Sequence, residues 1–219
     1  GSLASQILHK HYHPTSLMIT SVNPPRTTLR PYRFTYEEAL RMAEAGMLKG
    51  HDNVELIDGQ LIPMSPVGDR HISCVDELTH LLIERLAASG RDMMRVSVQS
   101  PLRIDAHNAP EPDLVVKTKR GGAATPATTL LVVEVSDTTL AYDRDTKLPL
   151  YAEAGIPEVW IVNLDARQVE VYHDPKGPTY KLRQLLDAND MLSIKALSDT
   201  EPIAVSDILP ARDASDPNS

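Results

Sequence analysis

Between Pro112 and Lys147 the chain reads PDLVVKTKRGGAATPATTLLVVEVSDTTLAYDRDTK, and two apolar runs in this stretch decide the fold. The runs at 114–116 and 130–135 are short and rich in β-branched residues, which is typical of buried strands. Asp113 stands directly before the first run, and Glu134 lies inside the second. The stretch therefore predicts two strands that carry acidic side chains into an apolar environment.

The glutamate within the second run carries the chemical argument. An ionised carboxylate in a strand loses much of its hydration, so Glu134 must take up a proton or find a cation or hydrogen-bond donors. Mg²⁺ suits such a place because one or two carboxylates hold it, and water and substrate phosphate complete its shell. Lys147 would then hold a water or stabilise charge on the phosphate. Asp113 and Glu134 are therefore candidate metal ligands, and Lys147 is a candidate catalytic residue.

A structural interpretation of the same acids stays open at this point. Asp113 could begin a strand with its carboxylate in solvent, and Glu134 could pair with an arginine such as Arg103 or Arg144. Structural ion pairs perturb carboxylates as catalytic sites do. A single buried acid therefore does not choose between the two interpretations.

Composition limits the architecture and the class of partner. The chain has 219 residues, 42% of them hydrophobic and 4% aromatic, which predicts one sizeable core built mainly from aliphatic side chains. The net charge of −8 gives no general basic surface for nucleic acid and counts against a DNA-coating protein. A nuclease is still compatible, because bound metal ions can neutralise phosphates within a cleft.

The sequence also indicates a compartment. One cysteine excludes an internal disulfide framework and is typical of a reducing environment. The chain shows neither a long apolar stretch nor a signal-peptide pattern at its start. We therefore expect a soluble, cytoplasmic protein without a membrane partner.

The composition divides the chain into three parts. Residues 1–31 have little periodic apolar signal and several prolines, so we expect a flexible N-terminal arm that begins with the Gly1-Ser2 remnant of a cleaved expression tag. Residues 32–209 should form one folded domain, and 210–219 a disordered tail. The arm also contains three alternate histidines, which in a flexible tail are more often unstructured than metal-binding: His9, His11 and His13.

A helix and a hairpin should open the domain. Thr35 and Glu38 have the spacing of a capping box, which predicts a helix running to about Ala45. Asp58-Gly59 predicts a two-residue turn in a hairpin over residues 54–62. Glu55 lies in this hairpin, and taken alone it would be interpreted as a strand residue on the solvent face.

Residues 71–88 predict an amphipathic helix that packs on the sheet, with apolar residues at Ile72, Val75, Leu78, Leu82 and Leu86. His71 in the first turn could point into a cleft and contact a phosphate or a water, although a surface histidine is an equally good interpretation. We interpret Cys74 as a small core residue, because no orienting third residue or electropositive setting is visible in the sequence.

The remaining patterns predict further strands and one helix. Residues 96–104 alternate as a half-buried strand with an edge, bulge or break at Pro101, and 117–126 read as a solvated basic loop. Pro149 belongs in the first turn of a helix, so Asp145 or Thr146 should cap that helix and Lys147 should stand at its start. Three further strands are predicted, at residues 158–162, 168–173 and 180–186.

The order of acid, acid and lysine resembles the PD-(D/E)XK nuclease superfamily, here as Pro112-Asp113, Glu134 and Lys147. The usual superfamily lysine lies two residues after the second acid, where this chain has Ser136. A longer resemblance, to the Uma family of restriction endonucleases, covers roughly residues 33–209. Its motifs here are Glu55-Leu56-Ile57-Asp58-Gly59, Met64-Ser65-Pro66 with His71, Val133-Glu134-Val135-Ser136-Asp137, Tyr142-Asp143-Arg144, and Lys147-Leu148-Pro149-Leu150-Tyr151.

The resemblance implies an α/β (α+β) domain with a restriction-endonuclease-like core, a mixed central β-sheet flanked by helices. It implies that Asp113 and Glu134 bind the metal, that Lys147 is the catalytic lysine, and that Glu55 is an accessory acid, with His71 as a further candidate. We therefore expect an endonuclease that uses Mg²⁺, with Mn²⁺ as a substitute, and has DNA as its partner. A homodimer would suit cleavage of two strands.

Two other functions stay open from the sequence. The acidic balance and the displaced lysine would also suit a non-catalytic binding or regulatory module on a nuclease-like scaffold. A metal-dependent phosphodiesterase acting on RNA or a small nucleotide is the third interpretation.

Overall fold

The structure, a computed structural model, describes residues 30–48, 54–118 and 122–211. Its helices are α1 (Tyr36–Glu44), α2 (Asp69–Ala88), α3 (Leu140–Tyr142), α4 (Leu148–Glu153) and α5 (Val205–Ile208), with a π-helical turn at Asp143–Lys147 and a 3₁₀ turn at Lys195–Leu197. Its strands are β1 (Val54–Ile57), β2 (Gln60–Pro63), β3 (Met94–Val98), β4 (Leu114–Thr118), β5 (Thr129–Ser136), β6 (Glu158–Asn163), β7 (Gln168–Lys176), β8 (Thr179–Leu186), β9 (Met191–Leu192) and β10 (Ile203–Ala204).

A six-stranded mixed sheet in the order β3-β4-β5-β6-β7-β8 forms the centre of the fold. β5 and β6 are parallel, and every other neighbouring pair in this sheet is antiparallel. A parallel pair needs a crossover connection, and here α3, the π-helical turn and α4 supply it. The predicted mixed sheet flanked by helices is confirmed.

Each face of the sheet packs against a different helical layer. Side chains alternate between the faces of a strand, and in β5 Leu131, Val133 and Val135 pack with α2 on one face. Val132 packs on the opposite face with Tyr151 of α4. Glu134 shares the face of Val132, so the crossover segment covers it.

The predicted opening of the domain is confirmed. The Thr35 N–H donates to Oε2 of Glu38 at 2.8 Å, and the Glu38 N–H donates to Oγ1 of Thr35 at 3.3 Å, which completes the capping box of α1. Asp58 and Gly59 join β1 to β2 with φ angles of 50° and 73°. Both angles are positive, as a turn suited to a two-residue hairpin requires.

The helix predicted at 71–88 is present as α2, with one wrong assignment on its buried face. Val75, Leu78, Leu82 and Leu86 are buried as predicted, but Ile72 is 44% exposed. Cys74 is fully buried in the core, and burial, with the charge of Asp113 as a second cause, raises the pKa of its thiol to about 12. These observations agree with a core cysteine rather than a nucleophile.

The three strands predicted near the end of the domain are confirmed as β6, β7 and β8, while two predictions upstream need correction. The strand expected over 96–104 is β3 at the sheet edge and ends at Val98, because Gln99 adopts a φ of 42° that breaks extended backbone. Lys117 is not on a solvated loop. It is buried in β4 and its Nζ donates to the Gly122 carbonyl at 2.6 Å.

The crossover helix begins earlier than predicted. We expected Asp145 or Thr146 to cap a helix whose first turn accommodates Pro149, but helical backbone already begins at Leu140 and Asp143–Lys147 form the π-helical turn. The prediction was wrong because it assumed α-helical spacing throughout. In a π-helical turn each amide bonds to the carbonyl five residues back instead of four. Proline lacks this amide, so the carbonyl that it leaves without a partner differs between the two kinds of helix.

The terminal predictions lie largely outside the described residues. This applies to the arm before Arg30, with His9, His11 and His13, and to the tail after Ala211. The domain boundaries at 31 and 209 stay predictions. Within the described ranges, no helix is both long enough and apolar enough to cross a lipid bilayer.

Candidate active site

A cavity of about 590 Å³ opens where the β1–β2 hairpin, the segment before β4, β5, the first turn of α2 and the π-helical turn meet. All five residues singled out from the sequence line it: Glu55, His71, Asp113, Glu134 and Lys147. Each of the five is buried. The structure therefore brings together residues that are separated by up to 92 positions in the sequence.

Lys147 stands between two glutamates at the base of the cavity. Its Nζ lies 3.3 Å from Oε1 and 3.3 Å from Oε2 of Glu134, and 3.3 Å from Oε2 of Glu55. Glu134 comes from the middle of β5, Glu55 from the hairpin, and Lys147 from the last residue of the π-helical turn. The lysine thus bridges the sheet, the hairpin and the crossover.

The hairpin is held in place by the strand-like segment before Asp113. Leu56 forms an isolated antiparallel bridge with Ala109, and the Glu111 N–H donates to Oε2 of Glu55 at 3.1 Å. These bonds fix Glu55 toward the cavity. Its interpretation as a strand residue on the solvent face was wrong, because the alternation of a short hairpin does not reveal which face another segment covers.

Asp113 is held by the end of β5 and by α2. Its Oδ2 accepts the Val135 N–H at 2.7 Å, and its Oδ1 lies 3.0 Å from Nε2 of His71. The pairing of Leu114 with Val133 places Asp113, directly before β4, next to Glu134 of β5. Asp113 is therefore not a solvent-facing strand entry, and His71 is not a surface histidine.

The His71 ring is fixed on one side only. Its Nδ1 is buried, without a hydrogen-bond partner among the described residues. Burial lowers the pKa of His71, but the hydrogen bond with Asp113 and the charges of Asp113 and Asp137 outweigh this, so the pKa lies above its ordinary value. His71 is thus positioned to orient Asp113 through its Nε2.

Two tyrosines and an aspartate complete the site, and the sequence motifs that contain them gave them no role. The Tyr151 hydroxyl donates to Oε1 of Glu134 at 2.5 Å, and the Tyr142 hydroxyl donates to Oε1 of Glu55 at 2.8 Å. Asp143 accepts the hydroxyls of Ser136 and Thr139, each at 2.7 Å. The polar residues of the crossover segment that face the sheet could have indicated these contacts. Which residues face the sheet is known only when the helical phase is known.

The arginines suggested as structural partners of Glu134 lie elsewhere. Arg144 pairs with Glu170 of β7, and Arg103 stacks over the ring of Tyr36 at 4.2 Å. The cation that meets Glu134 is Lys147.

Acidic groups outnumber basic groups around the cavity. Among the described residues that line it, Lys147 and His71 face six acids: Glu55, Glu111, Asp113, Glu134, Asp137 and Asp143. Burial raises the pKa of Glu134 well above its usual value, with Asp143 and Asp113 adding to the shift and Lys147 opposing it. Burial also raises the pKa of Glu111 and of Asp143. The cavity therefore contains more acidic side chains than its own basic side chains can pair with.

The pKa of Lys147 is also raised, but by nearby charges and against the effect of burial. Burial alone would lower the pKa of Lys147, but the charges of Glu134 and Glu55 outweigh it and raise the pKa above its ordinary value. The side chain is therefore an ammonium group at neutral pH. It can donate hydrogen bonds and stabilise negative charge, and it is not a general base.

The donor set fits a cation held by two carboxylates rather than by three protein ligands. Within the described ranges, no group of three or more His, Cys, Asp or Glu side chains is arranged to hold a metal ion. Asp113 and Glu134 supply hard oxygen atoms beside an excess of negative charge. One or two carboxylates are what Mg²⁺ usually takes from a protein when water and phosphate supply the rest of its shell.

Comparison with known proteins agrees with the sequence resemblance. The model of the Uma2 family, described as "Putative restriction endonuclease", matches residues 36–206. No curated protein matches the chain. A similar fold occurs in the crystal structure of a "putative nuclease belonging to DUF820" from Anabaena variabilis, with a TM-score of 0.60 at 13% identity over 80% of this chain and 97% of that chain.

Proposed function

The chain belongs to the Uma2 family, and from this premise we propose that it is a metal-dependent endonuclease that hydrolyses phosphodiester bonds of DNA. The observation that carries the proposal is the meeting of Asp113, Glu134 and Lys147 in one buried, strongly acidic cavity. A phosphodiester anion entering such a cavity is repelled unless an added cation offsets the carboxylates. The charge balance thus supports metal dependence.

In the proposed reaction Asp113 and Glu134 would hold Mg²⁺, for which Mn²⁺ could substitute. The chemistry supplied by the bound ion would be polarisation of a phosphate oxygen and a lowered pKa of a coordinated water. Lys147, as an ammonium group, would donate to the attacking water or to a non-bridging phosphate oxygen as charge develops.

Neighbouring side chains would keep these groups in position. Tyr151 donates to Oε1 of Glu134, and Lys147 lies 3.3 Å from both oxygens of that carboxylate. His71 and the Val135 N–H hold the two oxygens of Asp113. Glu55 keeps Lys147 charged and is itself oriented by Tyr142.

Nicking of supercoiled plasmid DNA tests the proposal. We expect the wild-type protein to nick DNA with Mg²⁺ or Mn²⁺ and to stop when EDTA is added. Glu134→Gln and Lys147→Met should each lower the rate by at least about 100-fold, as loss of a group that stabilises transition-state charge does. Nicking at the wild-type rate by either variant would refute the assignment.

Glu158→Gln is the matched control for removing a buried acid. Glu158 is as buried as Glu134 and begins β6, the strand that pairs with β5, but it does not line the cavity. Its loss should leave the nicking rate within about a factor of two of wild type, because it contacts no group of the site.

A non-catalytic binding or regulatory module is the second candidate. The observation that favours it is that Nζ of Lys147 is already engaged by two glutamates, while no described group supplies three metal ligands. Calorimetric titration with Mn²⁺ separates the two functions. Binding that weakens in Asp113→Asn supports the nuclease, whereas no binding at millimolar metal supports the module.

Partner and assembly follow from the nuclease proposal. DNA is the proposed macromolecular partner. A homodimer would place two symmetric sites on the two strands of a duplex. The cytoplasmic location stays a prediction from the sequence.

A further inference from the structure

Two buried glutamates lie in one row across the central sheet. Glu134 of β5 pairs with Ile161 of β6, and Ile161 pairs with Glu170 of β7. Residues that pair directly across neighbouring strands point to the same face, so both carboxylates face the crossover segment. Glu134 is 2% exposed and Glu170 is 0% exposed. Two strand spacings of about 4.8 Å place them roughly 10 Å apart.

The π-helical turn supplies one basic residue to each glutamate. Lys147 binds Glu134 at 3.3 Å, and Nε of Arg144 donates to Oε1 of Glu170 at 3.0 Å. Nη2 of Arg144 meets the same Oε1. The turn is therefore attached to the sheet at two points, one on β5 in the cavity and one on β7 outside it.

The attachment outside the cavity is an ionised pair. The Tyr172 hydroxyl donates to Oε2 of Glu170, and Nη2 of Arg183 lies 3.2 Å from the same oxygen. Burial alone would raise the pKa of Glu170, but the hydrogen bonds from Arg144 and Tyr172 outweigh it and lower the pKa. Oε1 of Glu170 thus binds Arg144, and Oε2 binds Tyr172 and Arg183.

A π-helical turn needs such an attachment. The Leu148 N–H bonds to the Asp143 carbonyl, five residues back, and π-helical turns are rare because α-helical bonding normally competes successfully. Reversion to α-helical bonding would shift the register by one residue, which corresponds to about 100° of rotation around the helix axis. A rotation of that size would take the Lys147 ammonium out of reach of Glu134.

We propose that Arg144 and Glu170 are positioning residues that hold the π-helical turn in register and so place Lys147 in the cavity. The inference rests on the proposed nuclease function for its kinetic readout only. Neither residue lines the cavity, so neither is a catalytic residue.

Kinetics of Arg144→Met give the first test. We expect kcat to fall about 100-fold, as displacement of a catalytic group by about 1 Å can cause. KM should stay within a factor of about two, because the walls that contact substrate are unchanged. Arg144→Lys, which keeps the charge but lacks the planar fork of guanidinium donors, should recover part of kcat. A proportional loss of kcat and rise of KM in Arg144→Met would overturn the proposal.

Arg183→Met is the matched control. Arg183 contacts the same carboxylate as Arg144 but through the other oxygen, and it belongs to β8 rather than to the π-helical turn. Its loss should leave kcat near wild type. Equal losses in the two methionine variants would mean that the charge of Glu170, and not the register of the turn, matters for the reaction.

A second readout does not depend on nuclease activity. Acylation of lysines by an amine-reactive ester, followed by mass spectrometry, reports how often Lys147 leaves its buried position. In Arg144→Met the Lys147 rate should rise on the order of tenfold, as a local opening made easier by about 1.4 kcal/mol predicts. Lys117 should stay unchanged, because it is also buried but its Nζ donates to the Gly122 carbonyl and not to a partner of the turn.

The two readouts keep the two proposals distinguishable. If the wild-type protein nicks no DNA, the nuclease proposal fails, while faster acylation of Lys147 in Arg144→Met still supports the positioning role. Unchanged acylation of Lys147 in a folded Arg144→Met overturns the positioning role even if nicking is observed. If Arg144→Met does not fold, Arg144→Lys and Glu170→Gln are judged by the same acylation criterion.

Discussion

Replacing Lys147 by methionine removes the ammonium group that lies between two buried glutamates. The Nζ atom lies 3.3 Å from Glu134 and 3.3 Å from Glu55, and the three side chains are only 6%, 3% and 4% exposed. Methionine keeps most of the volume of lysine, so the change isolates the charge. Breaking a buried ion pair by removing one partner costs about 3–5 kcal/mol. This is a large part of the 5–15 kcal/mol by which domains are usually stable.

The stability lost in Lys147→Met should be larger at high pH than at low pH. Without Lys147 the pKa of Glu134, already raised by burial from its ordinary value of 4.5, rises further. An acid with a raised pKa in the folded protein holds its proton more tightly there, so folding stability falls as pH rises through that pKa. At low pH the unpaired Glu134 is neutral and the variant recovers stability. The contribution of Lys147 itself is present below its unfolded value of 10.5 and is lost only above it.

Urea unfolding at pH 8 and at pH 5 measures this effect. The single tryptophan, Trp160, is fully buried in β6 and reports unfolding by its fluorescence. We expect Lys147→Met to lose about 3–5 kcal/mol at pH 8. The loss should shrink by at least about 1.4 kcal/mol at pH 5, the equivalent of one pKa unit.

Lys117→Met is the control for this measurement. Lys117 is the other buried lysine of the described chain, and its Nζ donates to a neutral carbonyl. The free energy of unfolding lost in Lys117→Met should therefore be the same at pH 8 and at pH 5. A loss in Lys147→Met that is equal at pH 8 and pH 5 would refute the charge compensation on which our description of the site depends.

Three further predictions concern the surroundings of the site. Burial raises the pKa of Glu158 from 4.5 to about 7. The free energy of unfolding of the wild type should therefore fall by up to about 3 kcal/mol between pH 4.5 and pH 7. Urea titrations of Glu158→Gln should show a smaller fall over the same pH range. His71→Ala should weaken Mn²⁺ binding about 10- to 100-fold in calorimetry, because the orienting contact to Asp113 is lost, and unchanged affinity would contradict that role. Gly59→Ala should lower stability by more than about 1 kcal/mol in thermal unfolding, because the residue has a φ of +73° and the added Cβ would lie 2.5 Å from Cβ of Arg33. In the control variant Gly177→Ala the added Cβ meets no atom within 4 Å, so the loss of stability should be smaller.

The central sheet and the acids were accessible from the sequence because their signals are local. The apolar runs on either side of Glu134 identify β5, and the capping box identifies the start of α1. Lys147 was proposed from its chemistry and supported by the family motif, since its distance from Glu134 in sequence says nothing about its distance in space. What the sequence supplied was therefore the strands and the identity of the charged residues.

The partners of these residues were not accessible, because they depend on helical phase and on packing between distant segments. Arg144 was considered as a partner for Glu134, but the π-helical turn directs it to Glu170. Tyr142 and Tyr151 carry no local motif for binding a carboxylate, and their role appears only when the crossover lies on the sheet. The same holds for the burial of Lys117 in β4.

The most direct measurement is a crystal structure of the protein soaked in Mn²⁺, with anomalous diffraction to locate the ion. We predict a peak about 2.1 to 2.3 Å from a carboxylate oxygen of Asp113 and one of Glu134, with water in the remaining positions. The same peak should be absent from Asp113→Asn crystals soaked in parallel. A cavity without an anomalous peak in crystals of a protein that nicks DNA, or a peak bound by other residues, would contradict the account.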